Sequence, residues 1–297
     1  MFTTVIGSYP FSYQDFGRDA IVMAVKDQLD AGIYLVSDGQ TRYGMVEYFT
    51  RAIEGYSLDN GSKITGKIGR GEPVEFVDDL EVVKGMTSHV KGIITGPVTL
   101  VFSSKIRSYY KGYSDERVYL DTARALLDIA RELQDNGAEW IQIDEPFLSV
   151  GAPMDIAQHA IESIATNLEV PVALHVCGTV TPIFRKLLQW KGITLLSHAF
   201  MGDDNLEILG WEELKDSNKI LGLGCINTTS TAIEEMKAIE NIIKMALGNL
   251  PEERIVIHPD CGLKLLPRDI AFNKLKQMTA ATNNVSQSRD SGGNSAI

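Results

Sequence analysis

Cysteine is scarce in this chain, with three residues in 297. That count excludes a disulfide scaffold and fits a reducing cytoplasm. Long apolar runs are missing too. No stretch approaches the roughly 18 residues a membrane span requires. The N-terminal Met1-Phe2-Thr3-Thr4-Val5-Ile6 lacks the basic start of a secretion signal and reads as a strand. Basic residues are outnumbered, Lys plus Arg 28 against Asp plus Glu 39, for a net charge of −11. Nucleic acids and anionic membranes carry the same sign, so neither is an expected partner. The expectation is a cytoplasmic globular protein, with 44% hydrophobic and 23% charged residues. A chain of this length buries enough surface to fold without a disulfide or a metal.

What is present is an alternation. Eight short apolar, β-branched runs occur at 3–6, 33–36, 92–94, 140–143, 172–175, 193–196, 220–223 and 254–257. Most are apolar throughout, as strands covered on both faces should be. Helical patterns at 19–31, 114–136, 153–166, 180–190, 211–214, 231–247 and 267–282 separate them. Strand–helix alternation implies parallel strands with right-handed crossovers. Eight units predict an α/β fold, a (β/α)8 TIM barrel over residues 1–283, with a doubly wound open sheet as the alternative. Residues 56–90 break the rhythm and predict an inserted β-hairpin, with further strand signal at 74–83. Residues 284–297 are rich in Ser, Gly and Asn and predict a disordered tail.

In such a barrel the active site lies at the C-terminal ends of the strands. Those ends carry Ile6-Gly7-Ser8, Ser37-Asp38-Gly39-Gln40, Thr95-Gly96-Pro97, Asp144-Glu145-Pro146, His175-Val176-Cys177, Ser197-His198, Gly224-Cys225 and His258-Pro259-Asp260-Cys261. All three cysteines and three of the five histidines thus fall on one rim. His175 and Cys177 are two apart at a strand end and point the same way. With Cys261 they make a zinc site of the catalytic type, with an open position. Two thiolates cancel the charge of zinc and weaken it as a Lewis acid. Alkyl transfer to a bound sulfur suits that set better than hydrolysis. The plain alternative is a pair of small buried cysteines and a packed histidine.

The acids admit two readings as well. Asp144 and Glu145 end an apolar strand, where a carboxylate is costly without a partner. Either a substrate ammonium or a salt bridge within the barrel would satisfy them. Glu47 sits among Met45-Val46 and Tyr48-Phe49, as a substrate contact or as a solvated helix residue. Cys225 is expected to be buried, and His258 to serve packing.

Taken together, Ile6-Gly7-Ser8-Tyr9-Pro10, Val46-Glu47-Tyr48-Phe49, Ile94-Thr95-Gly96-Pro97-Val98-Thr99, Gln142-Ile143-Asp144-Glu145-Pro146, His175-Val176-Cys177 and Pro259-Asp260-Cys261-Gly262-Leu263-Lys264 resemble the catalytic domain of cobalamin-independent methionine synthase. The resemblance spans about residues 1–280. It implies a (β/α)8 barrel that transfers a methyl group to homocysteine, activated as a zinc-bound thiolate, to form methionine. It implies His175, Cys177 and Cys261 as zinc ligands, and Ile6, Ser8, Glu47 and Asp144 as homocysteine contacts.

The departures from the family pattern concern the methyl donor. The chain begins at the catalytic barrel, without the N-terminal barrel that assists folate binding. Ser103 stands where a tryptophan stacks on folate, and Asn227 where a histidine protonates it. These losses imply a short, core type of methionine synthase that takes its methyl group from a methylcobamide or a methylated corrinoid protein. One departure touches the metal. The family supplies a glutamate ligand about 22 residues after the His-x-Cys cysteine, and here that position is Ala199. A replacement from His198, one from Asp203 or Asp204, or a three-ligand site with water remain open. The competing readings are a thiol alkyltransferase acting on a thiol such as coenzyme M, and a non-catalytic binding module. A metallohydrolase is disfavoured by the two thiolates.

Overall fold

A computed structural model describes residues 1–11, 17–202 and 205–292. Its strands are β1 (Phe2–Thr3), β2 (Tyr56–Leu58), β3 (Ser62–Ile64), β4 (Lys91–Thr95), β5 (Lys105–Ile106), β6 (Trp140–Asp144), β7 (Val172–His175), β8 (Ile193–Ala199), β9 (Ile220–Gly224) and β10 (Ile255–His258). Its helices are α1 (Arg18–Asp30), α2 (Met45–Ala52), α3 (Val74–Lys84), α4 (Pro97–Phe102), α5 (Glu116–Asp135), α6 (Met154–Ala165), α7 (Phe184–Leu187), α8 (Glu212–Asp216), α9 (Met236–Leu247) and α10 (Arg268–Gly292).

Seven parallel strands pair in the order β1-β10-β9-β8-β7-β6-β4. The run at 33–36 closes the circuit between the two edges. Thr4 bridges Leu35 and Val36 bridges Val90, both in parallel sense. Lys91 N–H donates to the Val36 carbonyl at 3.0 Å. The sheet is therefore the (β/α)8 barrel and not the doubly wound alternative, since an open sheet would leave β1 and β4 as free edges.

Strand side chains alternate between the barrel lumen and the helices. The lumen floor is apolar, with Ala173, Leu195 and Val256 packed against Phe2, Trp140 and Ile220. The next inward positions are polar. Lys91, Gln142, Ser197 and His258 meet that floor around a small void that is lined also by Ala173, Leu195 and Val256. Barrel lumens are commonly filled by branched aliphatic residues, so this layer is unusual.

The outer ring follows helical periodicity. In α5 the buried residues Val118, Thr122, Leu126, Ile129 and Leu133 recur at three and four and face the sheet. Asp115 caps its start by accepting from Arg117 N–H, and Gly137, at φ +95°, follows its end in the left-handed region.

Four departures from the sequence expectation stand out. The hairpin is present as β2 and β3, antiparallel, but β3 also takes β5 as a parallel partner. Residues 74–83, expected as strand, form α3; Phe76, Leu80 and Val83 bury one helical face. Arg42 and Tyr48 both bond the buried carboxylate of Asp79, which fixes α3 to the segment after the 33–36 run. Helix α10 runs to Gly292, so residues 284–292, assigned to a loose tail by composition, are helical. Finally, α7 spans only Phe184–Leu187, shorter than the 180–190 pattern.

Candidate metal centre

Strand β7 ends at His175, fully buried at 1% exposure, and Cys177 follows two residues on. Strand β10 ends at His258, and the chain turns through Pro259 and Asp260 to Cys261. The turn is fixed by the Asp260 carboxylate. It accepts from the backbone N–H groups of Phe200 at 3.0 Å, Met201 at 3.1 Å and Gly202 at 2.8 Å, and so ties the β10 exit to the β8 exit. These ties bring together residues separated by 84 positions. His175 Nε2 lies 2.9 Å from Cys177 Sγ, and Cys177 Sγ lies 2.7 Å from Cys261 Sγ.

The cysteines are not disulfide-bonded. The three donor atoms lie within 4.8 Å of one another. A tetrahedral zinc ion with bonds of about 2.0–2.3 Å needs donor edges of about 3.6–3.8 Å. A few tenths of an ångström of outward movement by each side chain makes room for one. Hydrogen bonding from Cys177, with help from His175, holds the Cys261 thiol down at about 4. It is a thiolate at neutral pH, the form a metal binds. His175, Cys177 and Cys261 thus fit zinc in number, spacing and charge. Among the described residues, no other group of three potential ligands converges in this way.

Next to this cluster, Asp144 ends β6 and pairs in register with His175. Burial pushes its carboxyl up to about 6, against the pull of His175 and of a hydrogen bond from Gln142. The Gln142 amide donates to Asp144 Oδ1 at 2.6 Å and to the Ile6 carbonyl at 2.7 Å. Its oxygen accepts from Lys91, which also donates to the Val5 carbonyl. Ser8 joins the same corner, because its carbonyl accepts from Leu263 N–H at 2.7 Å, two residues past Cys261. Ile6, Ser8, Asp144 and the cysteine–histidine cluster therefore share one end of the barrel.

Glu47 stands on α2 at that end, half exposed, with its carboxylate 2.7 Å from Arg51. Its field also reaches Lys264, three residues past Cys261. The side chains lying against Gly7 are instead Ile93, nearest at 2.8 Å from a Cβ added there, and Gln40, whose Oε1 would be 3.1 Å from it.

Among the described residues Glu145 makes no ion pair. Its carboxylate accepts from Val98 N–H at 2.8 Å, Thr99 N–H at 2.9 Å and Thr99 Oγ1 at 2.7 Å. It caps the N-terminus of α4 from a neighbouring strand. A Cβ at Gly96 would lie 2.2 Å from it, so the Thr-Gly-Pro-Val-Thr run is shaped around this carboxylate. Burial pushes Glu145 up to about 7 despite these donors. Cys225 is fully buried, with its thiol pushed well up by burial, and stays outside the cluster.

A family model described as the catalytic domain of cobalamin-independent synthase matches residues 7–284. The chain belongs to that family. It is 40% identical to the methionine synthase of Methanothermobacter thermautotrophicus, over 96% of this chain and 100% of that protein. It is 36% identical to the methionine synthase of Methanocaldococcus jannaschii, over 95% and 98%. The fold matches a B12-independent methionine synthase from a Shewanella species, solved with selenomethionine, with TM-score 0.87 at 22% identity over 97% of this chain and 98% of that one. The protein is thus a methyltransferase of the methionine synthase family, and the family implies homocysteine as methyl acceptor.

Against that family pattern, the position of the absent glutamate is informative. Ser197 and Ala199 face the lumen, and Ala199 ends β8 beside the metal cluster with no donor atom. His198 points the other way. Its ring packs edge-on to Phe184 at 5.6 Å, and Nδ1 lies 3.2 Å from the Val176 carbonyl. The suggestion that His198 replaces the glutamate is therefore corrected, since period-two alternation puts it on the helix side of β8. Asp203 and Asp204 lie outside the described residues. Asn227 Oδ1 accepts from Thr229 N–H and Oγ1 at 2.8 Å each, closing its own turn after β9. Ser103 caps the end of α4, next to Phe102, which stacks with Tyr113 and Phe147.

Proposed function

We propose that this protein methylates the thiol of homocysteine to give methionine, with zinc held by His175, Cys177 and Cys261, and with a methylcobamide or a methylated corrinoid protein as donor. The observation that carries the reading is the convergence of one imidazole and two thiols beside a buried carboxylate. When bound there, zinc supplies a positive centre that keeps a substrate sulfur in its thiolate form at neutral pH.

The chain's own residues do the rest. Asp144, held by Gln142, faces the substrate ammonium. Ile6 and Ser8 supply backbone or hydroxyl contacts along the amino-acid backbone, and Glu47 adds negative charge at the rim. An ammonium-bearing substrate fits these acids better than coenzyme M, which has none. Supporting a corrinoid donor, Asn227 spends its oxygen on a local turn, and an amide donates no proton to a leaving group. Ser103 has no ring on which a pterin could stack. The family is described as cobalamin-independent; a corrinoid donor would here be a substrate and not a bound cofactor.

The test is a donor comparison with the zinc-loaded protein and homocysteine. Methionine is expected with methylcobalamin and not with methyltetrahydrofolate alone. Turnover on folate would overturn the donor assignment, and methylation of coenzyme M in preference to homocysteine would overturn the acceptor.

A further inference from the structure

The polar layer inside the barrel is not accounted for by substrate contacts. One half of it, His258 and Ser197, connects to the metal cluster. His258 is 1% exposed, and its Nδ1 lies 2.7 Å from the Pro259 carbonyl. Its Nε2 lies 2.9 Å from Ser197 Oγ. Ser197 Oγ in turn lies 2.9 Å from His175 Nδ1. These three bonds form one chain from a backbone carbonyl to a metal-ligand imidazole.

The chain has one self-consistent direction. A carbonyl oxygen only accepts, so the His258 proton sits on Nδ1. A second proton on Nε2 would make a cation inside the lumen, which burial opposes and the nearby Lys91 opposes further. Nε2 of His258 therefore carries a lone pair, and Ser197 must give it its hydroxyl hydrogen. The serine oxygen is then left only as an acceptor toward His175, so His175 carries its proton on Nδ1. In the reverse direction, the bare Nδ1 of His258 would face the Pro259 carbonyl, lone pair against lone pair.

The sequence makes room for this. Ser197 on β8 and Val256 on β10 both pair with Gly222 on the intervening β9. A Cβ at Gly222 would lie 2.7 Å from His258 Nε2 and 2.9 Å from Ser197 Cα. The absence of a side chain at that position lets the His258 ring reach across a strand.

We infer that Ser197 and His258 are positioning residues: the Pro259 carbonyl–His258–Ser197 chain fixes the His175 proton on Nδ1 and turns the Nε2 lone pair toward Cys177 and Cys261. The inference rests on the zinc reading for its purpose, but not for its existence. Outer partners of this kind set the tautomer and orientation of ligand histidines, and their loss typically costs about 10–100-fold in metal affinity.

The experiment has two arms. Long-range proton–nitrogen NMR on the metal-free, nitrogen-15-labelled protein should find the proton on Nδ1 of both His175 and His258, and none on Nε2 of His258. A proton on His258 Nε2, or none on His175 Nδ1, overturns the chain. In the second arm, zinc affinity is measured by chelator competition. Ser197→Ala should weaken it by about 10–100-fold, with Ser197→Thr, which keeps the hydroxyl, recovering most of the loss. Equal affinity in wild type and Ser197→Ala overturns the positioning role. If the wild type binds no zinc, the metal reading fails while the NMR result still decides the chain.

Discussion

Asp144 shows most clearly how single side chains divide the work at this site. Its carboxyl is pushed up to about 6 by burial. Above that pH it is ionised and can hold an ammonium; below it the group is neutral and the attraction is lost. The KM for homocysteine should therefore rise as pH falls through about 6. In Asp144→Asn it should be raised by about 10–100-fold, the equivalent of about 1.5–3 kcal/mol for a hydrogen bond to a charged group, and this acid limb should vanish. Initial-rate kinetics between pH 5 and 8 check both, and an unchanged KM in the variant would remove Asp144 from the substrate site. The triad and Asp144 were legible because residues at strand ends collect on one rim whatever the loops do. Gln40 was not, because only the fold reveals which strand-end side chain lies on Gly7. The hydrogen bonds of His258 were not legible, since its partners Ser197 and Pro259 come from register and turn geometry. The orientation of His198 was in principle readable from strand alternation, which puts it opposite to Ser197.

Among the elements, α4 is the one most dependent on a residue from elsewhere. It is six residues long and takes its N-terminal cap from Glu145, after β6. Replacing Thr99 by Val removes one donor to this buried carboxylate and should destabilise the protein by about 1–3 kcal/mol in urea unfolding. The pH dependence has a definite sign. The folded-state value, about 7, lies above the ordinary 4.5. Folding thus takes up a proton between those limits, and Glu145's contribution to stability falls as pH rises through the window and is constant above it. The Thr99→Val penalty should accordingly be larger at pH 8 than at pH 5. An equal penalty at both would mean that Glu145 does not change protonation. Helix α3 illustrates a different limit of sequence reasoning. Its β-branched valines carry strand propensity, yet Phe76, Leu80 and Val83 repeat at helical spacing, and burial of that face decided the outcome. In α10, burial of Leu275, Met278, Ala281 and Val285 carries the helix into residues whose composition is that of a loose tail.

At the scale of the whole molecule, barrel closure assembles the site. Cys177 and Cys261 meet only when β7 to β10 are in register, so an unfolded chain offers no preformed set of ligands. Zinc should therefore stabilise the folded state. At a free concentration of about 100 times its Kd the gain is about 2.7 kcal/mol, or a rise in Tm of roughly 4–5 °C for a domain of this size. Calorimetry with and without zinc should show that rise in the wild type and little of it in Cys261→Ser. The barrel itself was legible from eight apolar runs alternating with helical ones. The 33–36 run was among them, but that it joins its neighbours by single bridges and not by a full ladder was not legible.

If His175, Cys177 and Cys261 hold a zinc ion that receives the substrate sulfur, the sulfur count around zinc must change when substrate binds. Zinc X-ray absorption counts sulfur neighbours directly. The prediction is two sulfurs per zinc in the purified protein and three after homocysteine is added, with selenium replacing the third when selenohomocysteine is used. A sulfur count that stays at two in the presence of saturating homocysteine would contradict the claim.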